Sequence, residues 1–184
     1  MKRRLFLQFP LVATALMAQS QTPANDRVKK GFKVAANKDR YEEELSIMGG
    51  RFACKVSGKD TNGDLCIFDT LRQEKGGPAR HLHYKQDEWF YVIKGEFIVN
   101  VGDDTFTLKA GDSAFAPRKI PHAFAKTSEG EAQMLVLFQP AGTMEDFFKQ
   151  MSKLGPNIPK DQEKKLKELW HTHGMEIVGP PLKF

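Results

Sequence analysis

The chain has 184 residues, 40% hydrophobic and 28% charged, with 15 Gly, 10 Pro, 14 Phe and 2 Cys; this excludes low-complexity and disulfide-dense proteins and fits one globular domain with tails. A chain of this length buries roughly 70% of its unfolded surface, enough for a core without a structural metal, so a metal would serve function. The formal charge of +5 drops to +2 if Lys2, Arg3 and Arg4 are removed with a leader, and the basic residues are interspersed with acids, so nucleic acid is not an expected partner.

Residues 1–20 have a basic head, an apolar stretch and a small-residue end at Ala18-Gln19-Ser20, the layout of a cleaved secretory signal. The apolar part is short and interrupted by Pro10 and Thr14, and no other run approaches the ~20 apolar residues of a membrane span, so no stable membrane anchor is expected after processing. The head Lys2-Arg3-Arg4-Leu5-Phe6-Leu7-Gln8 resembles a twin-arginine export signal, which implies a periplasmic or extracellular protein. A polar leader over 21–43 precedes a β domain over 44–140 and a helical extension with a tail over 141–184.

Within the β domain, Gly-rich turns separate short runs of Phe, Val, Ile and Leu, the rhythm of a sandwich or barrel. The predicted strands are 50–56, 65–71, 81–84, 88–93, 96–101, 105–108, 113–116, 122–126 and 133–139. Cys54 and Cys66 fall on neighbouring strands as two small side chains, with one bridge between them left open. Trp89-Phe90-Tyr91-Val92-Ile93 is apolar on both faces, so its outer face calls for a cover: the C-terminal helices or the second subunit of a homodimer.

Met144, Phe147, Phe148, Met151 and Leu154 recur at steps of 3 and 4 and predict a helix packed on the sheet. A second, charged helix is predicted from Pro159 to about Trp170, with Leu166, Leu169 and Trp170 as its apolar stripe. Core packing accounts for both stripes. His171 and His173 at its end are read as surface residues, because alternate positions of a helix do not share a face.

The chemistry concentrates in two segments. In Arg80-His81-Leu82-His83, alternation along a strand points both imidazoles the same way, about 7 Å apart along the backbone. Glu88 follows at an odd interval, so it rejoins that face only if residues 84–87 turn and Glu88 begins the returning strand. Downstream, Gly111 and Pro117 bracket a short strand and His122 opens the next, adding a third imidazole. His81, His83, Glu88 and His122 are the candidate metal ligands, three nitrogens and one oxygen, a set that leaves positions open on an octahedral ion.

These segments resemble the two motifs of the cupins, which implies an all-β fold, a double-stranded β-helix or jelly-roll barrel, here followed by C-terminal α-helices. His81, His83, Glu88 and Gly95 match the first motif, with Gly76 or Gly77 in place of its leading glycine; Gly111, Pro117 and His122 match the second. Lys119 stands where that motif usually has glycine, and Lys126 where it usually has asparagine. Residues 174–182 resemble the tail of some short single-domain cupins and are expected to cover part of the barrel.

The resemblance implies one divalent transition metal (Mn, Fe, Ni or Co) and, most nearly, a quercetin dioxygenase-like oxidoreductase acting on a small enol or phenol. Glu88 would be both ligand and catalytic base, in an apolar pocket. The alternatives are a small-ligand-binding module without turnover and a metal-dependent isomerase or decarboxylase.

Overall fold

Alternating inward apolar and outward polar side chains build two antiparallel sheets in the computed structural model, which describes residues 27–155 and 163–184. The first sheet contains β1 (Leu45–Ile47), β2 (Gly50–Val56), β3 (Cys66–Arg72), β10 (Ala132–Gln139), β5 (Asp87–Lys94) and β8 (Ser113–Ala116), in that spatial order. The second runs β11 (Met175–Pro181), β4 (Ala79–His83), β9 (His122–Lys126), β6 (Glu96–Val101) and β7 (Asp104–Lys109). Facing each other, they form the jelly-roll barrel of the cupin type, and two helices follow: α1 (Met144–Lys153) and α2 (Glu163–Thr172).

All nine predicted strands are present, and two more appear. β1 is only three residues long, and β11 carries Gly179, Pro180 and Pro181, which read as a break. As an edge strand, β11 pairs with β4 alone, with register shifts around Gly179, so prolines without an N–H are tolerated there. The C-terminal segment thus covers the edge of β4 beside the histidines. The predicted twin-arginine-like signal, and the start of the second helix at Pro159, lie outside the described residues.

The core fills the barrel. Phe68, Phe90, Phe97 and Val99 are buried from the strands, and Met144, Phe147, Phe148 and Met151 from α1, as the helical spacing predicts. The Phe148 ring lies 4.8 Å from Phe68, 5.0 Å from Phe52, 5.4 Å from Phe147 and 5.8 Å from Phe138, so α1 closes the barrel mouth with an aromatic plug. Cys54 and Cys66 are free and buried.

Two expectations are corrected. The helices pack against β1 and β11, leaving Trp89 and Tyr91 half-exposed on the outer face of β5, their rings stacked at 5.7 Å. His171 is exposed as expected, but His173 is buried: it lies just past α2, where Nδ1 is 2.8 Å from Thr143 Oγ1 and Nε2 is 2.9 Å from the Gln150 side-chain amide. The helical periodicity used to place it ends one residue earlier. Among the described residues, no helix is long and apolar enough to cross a membrane.

Candidate metal centre

β4 and β9 are neighbours, with His81 directly opposite His122. Such pairs bring side chains on one face together, and the two imidazole centroids are 4.6 Å apart. His83, two residues along β4, shares their face, and its ring stacks on His122 with centroids 5.5 Å apart. Residues 84–86 then turn as the odd spacing requires, but β5 does not return beside β4. The turn carries the chain into the opposite sheet, where β5 pairs with β10 and β8, so Glu88 faces the histidines from across the barrel.

One ligand atom from each of His81, His83, Glu88 and His122 fits in a group no more than 4.8 Å across, and all four side chains are buried. Glu88 Oε2 is 2.8 Å from His122 Nε2, 3.2 Å from His83 Nε2 and 3.9 Å from His81 Nε2. On their far sides, His81 Nδ1 is 2.8 Å from the Ala79 carbonyl and His122 Nδ1 is 2.9 Å from that of Ile120. A carbonyl accepts only, so each Nδ1 carries a proton, and Nε2 is the atom turned to the centre, as in histidines oriented for a metal.

Electrostatics support the same geometry. Burial works against ionising Glu88, but hydrogen bonds from His122 and His83 outweigh it and hold the carboxyl well below its usual range. Burial, with His122 and His83 alongside, pushes His81 down to about 3, leaving a neutral imidazole suited to ligation. Burial also opposes the charge on His122, yet the hydrogen bond to Glu88 raises its pKa. A cation between these atoms would replace the protons that now link nitrogen to carboxylate. Three imidazoles and a carboxylate, two of the rings braced by backbone carbonyls, fit a divalent transition metal.

Three of the four residues, His81, His83 and Glu88, line one wall of a cavity of about 50 Å³, room for a few water molecules. Phe52, Phe138, Phe147 and Trp170 make much of the rest, so the expected apolar character holds, with α1 and α2 supplying part of the lining. Sequence reasoning assigned no residue beyond the four candidates to the cavity, and Arg72 and Trp170 are two that bear on its chemistry. Arg72 follows Cys66, Phe68 and Thr70 on the inward face of β3, a period-2 signal that was legible, but the predicted strand stopped at Leu71. Trp170 was assigned to the core; its ring centroid is 4.8 Å from that of His81.

The departures from the motif have structural meanings. Lys119 has φ +66, the left-handed conformation for which glycine is usual, and its N–H donates to the His83 carbonyl at 2.7 Å. Lys126 is buried outside the cavity lining, and its Nζ donates to the Ser128 carbonyl at 2.6 Å. Both glycines before the first motif are used. Gly76 bridges to Lys126, and a Cβ on Gly77 would lie 1.7 Å from the Phe124 carbonyl oxygen.

Residues 67–138 match the family described as Cupin domain. An uncharacterized protein of Methanocaldococcus jannaschii is 27% identical over 66 residues, 36% of this chain and 53% of that protein. The polyketide synthase CurC of Streptomyces cyaneus is 29% identical over 62 residues, 34% and 40% of the two chains. The chain thus spans about half the length of these curated relatives, or less. Among solved structures, the Streptomyces nucleoside dehydratase Pac13 superposes with a TM-score of 0.50 at 13% identity, over 64% of this chain and 88% of that one, a likeness of fold. A cupin from Shewanella frigidimarina gives 0.49 at 27% identity, over 64% and 96%. The match to the cupin domain thus covers residues 67–138, which run from β3 to β10 of the barrel.

Proposed function

We propose that this protein is a metal-dependent oxidoreductase of the dioxygenase type, acting on a small enol or phenol, with His81, His83, Glu88 and His122 holding one divalent ion of Mn, Fe, Ni or Co. The observation that carries the proposal is the buried four-residue cluster, three of whose members, His81, His83 and Glu88, line an apolar cavity. A metal bound there would supply a Lewis-acid centre with open coordination positions.

The chain's own residues do the rest. Glu88 is ionised, and Oε2 faces the centre, where it can accept the proton of an acidic enol or phenol O–H. The Ala79 and Ile120 carbonyls fix the rings of His81 and His122. Phe52, Phe138, Phe147 and Trp170 exclude water and offer flat apolar surfaces to a ring or short chain. Elemental analysis paired with oxygen uptake against small enols and phenols tests the proposal. About one equivalent of metal with uptake supports it, and a metal-free protein that consumes no oxygen refutes it.

A second reading, a module that binds a small ligand without turnover, is favoured by one observation: among the described residues, Arg72 is the sole charged residue lining the cavity beyond the cluster. Ligand binding with neither oxygen uptake nor substrate change would select it, whereas substrate change without oxygen would select an isomerase or decarboxylase.

The proposal includes export by the twin-arginine route and a homodimer. On the outer face of the first sheet, Ile67, Leu137, Trp89 and Phe115 stand side by side across β3, β10, β5 and β8. Sedimentation of Phe115→Glu against the wild type tests the dimer, which should dissociate in the variant.

A further inference from the structure

The cavity contains an unpaired cation. Arg72 is 4% exposed, and among the described residues its side chain makes one hydrogen bond, Nη2 to the Met48 carbonyl at 3.1 Å, and no ion pair. Nε is buried with no partner. The guanidinium carbon lies 5.9 Å from the Phe124 ring centroid, and Phe124 also lines the cavity. Buried guanidinium groups are ordinarily matched by a carboxylate, and buried donors of any kind are ordinarily paired.

The neighbouring strands make room for this side chain. In register, Arg72 faces Gly50 on β2 and Ala132 on β10. A Cβ on Gly50 would lie 3.2 Å from Arg72 Nη1 and 3.3 Å from its Cγ, so the smallest residue stands where the arginine crosses. A second donor in the lining is also unpaired: Trp170 is 5% exposed, and its indole Nε1 is buried without an acceptor. Two N–H donors of different elements, one of them charged, thus lack acceptors in a cavity whose lining is otherwise apolar apart from the histidine and glutamate cluster.

We infer that Arg72, assisted by the Trp170 indole N–H, is the anchor for a carboxylate, so that the ligand class of this cavity is a small monocarboxylate with an apolar body. The inference rests on the cavity being the small-ligand site proposed above. A carboxylate suits a planar guanidinium whose Nε–H is unpaired and would be matched one-for-one in charge. A phosphate would bring a second negative charge toward a cavity that already contains Glu88. The carboxylate oxygens would accept from Arg72 and Trp170, and the apolar body would lie among Phe52, Phe138 and Phe147.

The test uses isobutyrate and isobutyramide, two probes of nearly equal shape that differ in charge, titrated calorimetrically into the full-length protein with and without bound metal. Isobutyrate is expected to bind at least tenfold more tightly than the amide and to shift the Trp170 indole N–H resonance. Arg72→Gln should abolish the difference while metal content stays unchanged. Equal affinity for acid and amide, an unmoved indole resonance, or displacement of isobutyrate by equimolar inorganic phosphate would overturn the inference. The first two measurements need only the wild type, so they stand even if Arg72→Gln fails to fold. Acid preference in a protein that takes up no metal would uphold the carboxylate anchor and remove the metal proposal. One equivalent of metal without acid preference would do the reverse.

Discussion

His122 Nε2 lies 2.8 Å from Glu88 Oε2, although the two residues are 34 positions apart and sit on strands of different sheets. The barrel closes around this contact, so the group that concentrates chemistry also ties the two sheets together. Its removal should separate metal binding from folding. His83→Ala is expected to drop metal content from about one equivalent to below about a tenth, because one of four ligands is lost, while the far-UV spectrum keeps its β signature. Elemental analysis after dialysis, with circular dichroism on the same sample, checks this; unchanged metal content would remove His83 from the ligand set.

Gly77 is a position where backbone meets backbone. A Cβ there would lie 1.7 Å from the Phe124 carbonyl oxygen and 2.8 Å from its carbon, and neither atom can rotate away. Gly77→Ala should cost about 3 kcal/mol or more, as steric overlap in a packed region does. Urea unfolding measures it, and a loss below about 1 kcal/mol would mean that the strands part easily there.

Lys119 occupies a left-handed backbone conformation without being glycine. Removing its Cβ relieves that strain and costs unfolded-state entropy, so Lys119→Gly should stabilise by about 0.5–1 kcal/mol with metal content unaltered. A destabilised variant would assign the lysine side chain a stabilising contact of its own.

Cys54 and Cys66 should be inert thiols. Burial, reinforced by the charge of Glu145, pushes both thiols above their ordinary range, and Cys66 is 0% exposed. A thiol-reactive reagent at pH 8 should modify the native protein at least about a hundredfold more slowly than the urea-unfolded chain, since the thiolate is the reactive form and access requires opening. Rapid labelling of the native protein would show that this part of the core opens readily.

His173 pins the segment between α2 and β11 to α1 through Thr143 and Gln150. His173→Ala is expected to cost about 1–3 kcal/mol, because the buried imidazole loses its packing against Phe147 and its hydrogen bonds to the exposed Thr143 and Gln150 side chains. Hydrogen exchange should rise first in α2 and β11, and exchange confined to other elements would rule out the clamp.

Local pattern made much of the molecule legible. Period-2 alternation and glycine spacing placed nine strands, steps of 3 and 4 placed the buried face of α1, and His81, His83, Glu88 and His122 stood out because their intervals make sense on strands. β11 was illegible because Gly179 and two prolines break every local strand signal, and pairing along one edge of β4 compensates for them. His173 was misread for a related reason: helical geometry stops before it, and its burial depends on Thr143 and Gln150, residues far away in the chain.

The sequence by itself determined the all-β character, through side-chain periods, and singled out His81, His83, Glu88 and His122, through local spacings read together with the resemblance to the two cupin motifs. Tertiary structure alone decided that Glu88 approaches from the opposite sheet, that α1 and Trp170 roof the cavity, and that Arg72 enters it without an ion partner among the described residues. Those facts depend on which strands become neighbours and which small residues leave space between them. Such pairings are set by the total burial of the barrel, a sum over the whole chain that no local interval encodes.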